Sequence, residues 1–345
     1  MAIARENDNA KGTSVPASYG HYIGIASGQL KPVVEYEKIE PAQGRIEAGI
    51  EQHIIRKYSE LAFSAPVKSD WLGHILTGIF GSVSSNEASG ETAIFDHTIT
   101  VANNSTPPAY SLYMLDDVQS DLATYGIIKK LELTCNADGI LNADVEVIAQ
   151  ARESGSGTAA YSTDHHFQGS HLTVKIAADL ASLGAASAVN FQTMKLTIER
   201  EVTPVYAFGS TEPNKFVAGA IKISGELSIV YENTTQRGYY EGETDKALRL
   251  DFNDSATTIG SAETPQLLID LAKINFISHE RPDGIDEADI ETMEFEASYD
   301  LDETSPKMVT ITLTNEEAEY AYGSEFGINE SESITVAESV SMAVS

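Results

Sequence analysis

The chain has 345 residues, of which 42% are hydrophobic, and its formal net charge is -30. This length suffices for one large domain or two ordinary ones, and the apolar content can supply a core. The charge argues against a surface that grips nucleic acid, because such binding needs Lys and Arg to displace phosphate counterions. It fits high solubility, a surface that repels DNA, or adaptation to high salt.

Targeting and redox signals are sparse. We see no apolar run long enough for a transmembrane helix and no secretory signal in the first residues, so we expect no membrane partner. The single cysteine, Cys135, excludes an internal disulfide and suits synthesis in a reducing cytoplasm. We interpret it as a small residue on a strand, without a chemical role.

The N-terminal part of the chain predicts little regular structure. Residues 1–35 are interpreted as an N-terminal arm, and Met1–Ser18 in particular is small and polar, which is typical of an arm or a disordered end. Short extended pieces lie within Gly20–Pro41. The first full strand is predicted at Ile54–Ser64.

One helix stands out after that strand. Its apolar residues recur at helical spacing on one stripe. Ser69 or Asp70 is expected to cap its start, and Gly81 is expected to close its end. Packing against a sheet is favoured over a cofactor role for both Trp71 and His74.

The most informative stretch, Lys130–Gln150, predicts two strands around a turn. Apolar and polar residues alternate on both sides of that turn, so each strand has one inward face. Asp138 and Gly139 supply the turn, where we expect Gly139 to adopt the positive φ that a tight hairpin needs.

The remaining elements are mostly strands. They are predicted at Ala93–Val101, Tyr110–Leu115, Phe191–Arg200, Phe216–Tyr231, Leu248–Phe252, Gln266–Ile277, Ile290–Tyr299 and Val309–Leu313. Loops are predicted at Ser82–Thr92 and Ala151–Gln168, and a short second helix at Thr235–Lys246. The chain is therefore expected to be mainly β with one or two flanking helices, ending in an acidic segment at 316–345.

Segments of the first half return in order in the second half. The corresponding pairs are Glu60–Phe63 with Glu226–Ile229, Ala109–Met114 with Ala247–Phe252, and Asp138–Glu146 with Asp283–Glu291. The last pair keeps its internal spacing and places Gly139 and Gly284 at equivalent turns. We interpret this order as an internal duplication, with one β domain at 36–188 and a second at 189–315. Chance likeness among short alternating strands is the alternative.

Candidate sites for chemistry are weak. His165, His166 and His171 cluster beside Asp164, but they lie in a Gly/Ser-rich loop without the ordered, spaced ligands that zinc requires. We interpret them as solvent-exposed loop histidines.

The carboxylates single out no catalytic pair, because they are abundant throughout the chain. Asp116–Asp117, Asp251–Asp254 and Asp283–Asp289 lack the spacing of a calcium loop. No nucleophile-elbow, phosphate-loop, dinucleotide or zinc-protease motif occurs. We expect no catalytic, cofactor-binding or metal-binding residue and no cofactor.

A set of strand pieces and the helix carries a family resemblance. The pieces are Tyr36–Glu40 with Gly44–Arg45, Glu60–Phe63, Trp71–Gly81, Ile128–Thr134, Gly139–Ile148, Ile223–Ile229, Ala247–Leu250, Ile274–Arg281, Phe295–Tyr299 and Val309–Asn315. Over Tyr36–Asn315 the chain resembles the tail tube (major tail) proteins of long-tailed bacteriophages of the siphophage type.

The resemblance implies packed β-sheets with a flanking α-helix, in which one sheet of each copy joins its neighbours into a closed β-barrel ring. Closure leaves no free sheet edge. It also implies a non-enzymatic protein of the virion tail, made in the host cytoplasm. Its rings would stack helically around the tape-measure protein, between the tail terminator and distal tail proteins, and later pass viral DNA without binding it specifically.

The ring number depends on the duplication. Family members with one tube domain form hexamers, so three copies of a duplicated chain would supply six units, and we expect a trimer rather than a hexamer. Two other functions stay open. A different virion or surface β protein, such as a baseplate, decoration or adhesin subunit, would remain a discrete oligomer. A carbohydrate-active β-sandwich enzyme would need a concave site with converging polar groups.

Overall fold

The computed structural model describes residues 1–39, 51–281, 289–302 and 307–320. Within these ranges, eighteen strands join into one large sheet through antiparallel pairs, and two α-helices flank it. The expectation of a mainly β chain with flanking helices is confirmed. Among the described residues, no helix has the length and apolar character needed to cross a bilayer.

The described part of the first half contains ten strands. They are β1 (Ala2–Arg5), β2 (His21–Tyr22), β3 (Ser27–Ile39), β4 (Glu51–Pro66), β5 (Gly81–Glu87), β6 (Phe95–Val101), β7 (Tyr110–Met114), β8 (Asp121–Asn136), β9 (Asn142–Ala149) and β10 (Glu153–Ser154). Helix α1 (Leu72–Phe80) lies between β4 and β5.

The described part of the second half contains eight strands. They are β11 (Leu172–Ala177), β12 (Ala188–Val189), β13 (Phe191–Tyr206), β14 (Pro213–Val230), β15 (Lys246–Asn253), β16 (Gln266–Glu280), β17 (Ile290–Ser298) and β18 (Val309–Asn315). Helix α2 (Thr235–Glu241) lies between β14 and β15, where the second helix was predicted.

Helix α1 confirms the clearest sequence prediction. It ends at Gly81, whose φ of 87° is the left-handed conformation that glycine adopts at helix ends. The expected cap at Ser69 or Asp70 is wrong, because Trp71 occupies the N-cap and no side chain bonds the first turn. Trp71 and His74 both pack in the core, as expected.

The centre of the molecule is an eight-stranded sheet in the order β3–β4–β9–β8–β13–β14–β17–β16. Its alternate residues are apolar and pack with α1 and the neighbouring strands in the main core. Leu61, Val145, Leu131, Leu196 and Leu227 are among these core residues. Within the described residues this sheet does not close on itself.

Strand pairing in the second half repeats that of the first half. The first half contains the pairs β1–β2, β1–β7, β7–β8, β8–β9, β8–β10, β4–β9 and β3–β4. The second half contains β11–β12, β11–β15, β15–β16, β16–β17, β16–β18, β14–β17 and β13–β14. Each strand therefore has a counterpart, apart from β5 and β6.

Three β-bulges also recur at corresponding places. The bulge at Glu35/Tyr36 in β3–β4 corresponds to the bulge at Arg200/Val202 in β13–β14. The bulge at Tyr110/Leu112 in β7–β8 corresponds to the one at Lys246/Leu248 in β15–β16. The bulge at Ile128/Lys130 in β8–β9 corresponds to the one at Phe276/Ser278 in β16–β17. In each pair of bulges the extra residue falls on the corresponding strand. A bulge is a specific local feature rather than a generic property of strands, so the three coincidences align the halves residue by residue.

The structural alignment corrects the one drawn from sequence. The sequence matched Val145 with Ile290 and Glu146 with Glu291. However, Val145 and Glu291 are both 1% exposed, whereas Ile290 is 38% exposed and Glu146 is exposed. The match is therefore wrong by an odd number of residues, because a one-residue shift moves every side chain to the other face of a sheet.

The expectation of a disordered N-terminal arm is wrong for its first residues. Strand β1 pairs with β7 over its whole length, and Ala2, Ile3 and Ala4 are fully buried. The Glu6 carboxylate, also fully buried, accepts hydrogen bonds from the main-chain N–H of Gly12 at 2.6 Å and other groups. Burial raises the pKa of Glu6 despite these hydrogen bonds. Residues 40–50, at the end of the β3–β4 hairpin, lie outside the described residues.

The segment expected to be a loop at Ser82–Thr92 mostly forms β5. This strand pairs with β6, and β6 pairs with β18 of the second half. The β5–β6 hairpin thus joins the two halves of the chain. The polar Ser/Asn sequence of β5 has no apolar alternation that would predict a strand. Its extended conformation is instead stabilised by pairing with β6.

Candidate functional surface

One face of the eight-stranded sheet is polar. On β8, Leu131 and Leu133 are fully buried. Because side chains alternate along a strand, Lys130 before them and Glu132 between them lie on the opposite face. The register extends this face across all eight strands. We call it the polar face.

Charges of opposite sign stand opposite one another along one row of the polar face. Glu146 on β9 faces Lys130 on β8, Lys130 faces Glu199 on β13, and Glu199 faces Lys222 on β14. Opposed charges on neighbouring strands contribute about 0.2–1 kcal/mol each. The row therefore stabilises the central strands while keeping ionised groups in solvent.

Carboxylates also stand opposite carboxylates on this face. Asp144 faces Glu132, and Glu226 faces Glu294. Lys195 and Lys130 lie 2.9 and 3.1 Å from the Glu132 carboxylate. Partial burial alone would raise the pKa of Glu132, but the hydrogen bonds from the two lysines outweigh it and lower the pKa. Glu132 is thus held ionised beside a second acid.

Acidic side chains outnumber basic ones on the polar face. The acidic members include Glu60, Glu132, Asp144, Glu146, Glu199, Glu226, Glu280, Glu294 and Glu296, and the basic members include Lys31, Lys130, Lys195 and Lys222. The face consequently carries a net negative charge.

Two strand edges limit the polar face. Strand β3 pairs only with β4 among the described residues, and its second edge is open. Strand β16 pairs with β15 up to Ile274, so its last residues, including Ser278 and Glu280, leave the corresponding edge open too. Pro32 lies within β3, and proline occurs mainly in strands at the edge of a chain's own sheet, because its missing N–H removes one ladder hydrogen bond. That sequence signal could have identified the edge.

The clustered histidines do not converge on one point. His171 Nε2 lies 3.0 Å from Gln168 and 3.5 Å from Asp254. His165 and His166 use their main chains to hold the loop against Lys68 and Ser69. Among the described residues, no three His, Cys, Asp or Glu side chains form a group that could hold a metal ion.

The other carboxylate candidates belong to turns and pairs. Asp116 accepts the main-chain N–H of Val118 at 2.9 Å, next to exposed Asp117. Asp251 accepts a hydrogen bond from Gln266 at 2.7 Å. Of the stretch Asp283–Asp289, only the last residue lies within the described part of the chain.

Cys135 and Arg200 are both inside the fold. Cys135 is 3% exposed, and burial raises the pKa of its thiol to about 11, so it is a poor nucleophile. Arg200 lines the concave surface between β14 and the β6–β7 loop, but its guanidinium donates to the carbonyl oxygens of Gly219, Ile79 and Asn104 at 3.0, 3.1 and 2.5 Å. Its donors therefore join α1, a loop and β14 rather than face a substrate.

A buried cluster around His74 had no sequence signal. The His74 ring lies 4.5 Å from the His21 ring and 4.9 Å from the Tyr320 ring, and neither of its nitrogens has a hydrogen-bond partner within the described structure. Burial, reinforced by nearby His21, Arg5 and His97, holds the pKa of His74 well below its usual range. The cluster forms only because distant segments meet at α1.

Comparison with known proteins identifies the family of the chain. No curated protein matches the chain. The family model described as phage tail tube protein matches residues 57–315, which run from within β4 to the end of β18 and make up most of the chain. The matched region contains six of the eight central strands in full, most of β4, and the whole of the pairing between β4 and β9. The chain therefore belongs to the phage tail tube protein family, whose members are structural proteins of the viral tail.

Proposed function

We propose that the chain polymerises as stacked rings into the tail tube and that the rings form the channel for DNA passage into the host cell. The observation that carries this proposal is the eight-stranded sheet, which is polar on one face, packed on the other and open at both edges. Open edges are liable to pair with other strands, and closing a ring of copies removes them all.

The repeated pairing supports a proposed number of copies in each ring. If the two sets of strands are two tube units, three copies supply six units, and the ring is a trimer with pseudo-sixfold symmetry rather than a hexamer. The strand correspondence favours units that run from β1 to β10 and from β11 to β18. This division lies earlier than the sequence-based boundary at 188.

The polar face is proposed to line the channel. A net negative lumen repels phosphates, and two of its lysines, Lys130 and Lys195, are engaged by the Glu132 carboxylate. DNA can then pass without being held. The same lumen would hold the tape-measure protein before ejection, and the tail terminator and distal tail proteins would contact the ends of the tube. The protein would be made in the host cytoplasm and act in the virion tail, without a cofactor or membrane partner.

Electron microscopy of the purified protein over a concentration series tests the proposal. We expect stacked rings with a central channel, in amounts that rise with concentration. Raising the salt concentration serves as the control for electrostatic aggregation, which would disperse, whereas sheet pairing would persist. A monomer or a discrete closed oligomer at every concentration would refute autonomous tube formation and favour another structural role in the virion.

A further inference from the structure

The junction between β8 and β13 joins the two halves of the chain and provides a template for a junction between copies. In the strand correspondence, β8 matches β16 and β13 matches β3. These two matching strands are the open edges. We infer that the β16 edge of one copy pairs with the β3 edge of the next copy, antiparallel and in the register that β8 and β13 use. This inference rests on the proposed ring assembly and specifies its contact.

The shared bulges determine the register on the β16 side. The bulge after Ile128 in β8 recurs after Phe276 in β16, with one extra residue in each strand. A second shared bulge, between β7 and β8 and between β15 and β16, gives the same alignment. Counting from either bulge, Glu132 corresponds to Glu280.

The register on the β3 side follows in the same way. Val202 is the first paired residue beyond the bulge in β13, and Tyr36 is its counterpart in β3. Counting back along both strands, Thr197 corresponds to Lys31. Because Glu132 stands opposite Thr197 within the chain, Glu280 of one copy stands opposite Lys31 of the next.

The charges at this position are complementary. Lys31 and Glu280 are both exposed, and neither has an ion-pair partner among the described residues. Within the chain, Glu132 of β8 pairs with Lys195 of β13 at 2.9 Å. The junction between copies would likewise place an acid on one strand and a lysine on the other, on the polar face.

Exposed apolar residues mark the same junction. Tyr36 and Ile54 stand opposite each other on β3 and β4, and they are 49% and 45% exposed. Their counterparts on β13 and β14, Val202 and Ala218, are 7% and 6% exposed because the hairpin packs over the end of β8 and β9. Pairing between copies in the same register would cover Tyr36 and Ile54, which explains why apolar side chains occur there.

Disulfide trapping in the assembled protein tests the register. Lys130 faces Glu199 within the chain, so Ser278 of one copy is expected to face Val33 of the next. Opposed antiparallel residues have Cα atoms about 4.5–5.5 Å apart, a separation that a disulfide can bridge. In a Cys135→Ala background, which removes the only native cysteine, the pair Val33→Cys and Ser278→Cys should lose most of its monomer on oxidation and give covalent species of up to three chains.

The matched control is Lys31→Cys with Ser278→Cys, a pair displaced by two residues on the same face. This pair should stay largely monomeric under the same oxidation, and thermal melting of each variant checks its folding. Tubes in which the displaced pair crosslinks, or in which neither pair does, would overturn the register while leaving the ring proposal standing. A Cys135→Ala background that folds but forms no rings would overturn the ring proposal and the register with it.

Discussion

Arg5 donates a hydrogen bond from Nη1 to the carbonyl oxygen of Tyr320, at 2.7 Å. This contact joins the first strand to the last described residue. Tyr320 also donates from its hydroxyl to the carbonyl oxygen of Asp70 at 2.8 Å, so the same residue reaches the start of α1. Both ends of the described chain are thus part of the core that supports the first half of the sheet.

Loss of β1 is expected to unfold the protein rather than to impair stacking alone. Ile3 is fully buried in the main core, so Ile3→Ala should lower the free energy of unfolding by about 2–5 kcal/mol. Ile140, which is 49% exposed, provides the control, and Ile140→Ala should change stability little. Denaturant melting measures both. Equal stabilities of the Ile3→Ala and Ile140→Ala variants would show that β1 is dispensable for folding, as the sequence suggested for Met1–Ser18.

Gly73 of α1 is expected to tolerate no side chain. An added Cβ would overlap the ring of Tyr320, so Gly73→Ala should cost about 1–3 kcal/mol through overpacking. Gly238 in α2 has open space around it, and Gly238→Ala should instead stabilise by about 0.5–1 kcal/mol. In a Tyr320→Ala background the penalty at Gly73 should vanish. A penalty that persists there would assign it to another contact.

Arg200 is expected to be a major structural residue. Arg200→Met removes its three hydrogen bonds to main-chain carbonyl groups and should cost about 2–4 kcal/mol, measured by denaturant unfolding. Arg237→Met is the matched control, because among the described residues Arg237 makes only an exposed pair with Glu241 on α2. A negligible effect at Arg200 would contradict the role assigned to it.

Stability should fall as the pH drops below about 6.5, the usual pKa of an unfolded histidine. Burial lowers the pKa of His74 and of His97 in the folded state. The unfolded chain therefore binds more protons in this range, and the stabilisation present above pH 6.5 is lost progressively towards the folded-state pKa values. His74→Phe should reduce this slope in unfolding experiments across the range. His166→Gln, at an exposed position, should leave it unchanged, and equal slopes for all three proteins would contradict the assignment.

Local pattern predicted the elements well. Alternation over Lys130–Gln150 gave β8 and β9, and the apolar stripe with Gly81 gave α1. These signals are local, because alternation and a terminal glycine act within one element. Strand β1 was missed for the opposite reason. Its four residues have no periodicity of their own, and pairing with β7 supplies their order.

The strand register that relates the two halves could not be predicted from the sequence. The alignment of Val145 with Ile290 looked sound, since Glu follows in both cases, but Glu291 is buried beside His279, with Nε2 and Oε2 3.0 Å apart. A buried acid paired with histidine reverses the expected pattern of faces. The turn at Gly139 was placed correctly, yet its φ is not positive, so Gly139→Val should destabilise the fold less than a substitution at a positive-φ glycine. Gly284 lies outside the described residues.

The sign of the charge on the candidate surface could be predicted from the sequence, but the location of the surface could not. Net charge indicated an acidic surface, whereas the polar face emerged only from strand order, which brings Glu132 and Lys195 together from separate halves. The carboxylates of one row are far apart in sequence. Only the pairing of β8 with β13 makes them neighbours.

Mass per ring and rotational symmetry of end-on views, measured by electron microscopy of assembled tubes, test the central claim most directly. The repeated strand pairing predicts three chains in each ring, with true threefold and approximate sixfold symmetry. Six chains in each ring with one unit apiece lining the channel would contradict the account. Such a ring would mean that the eight-stranded sheet does not line the channel as a whole.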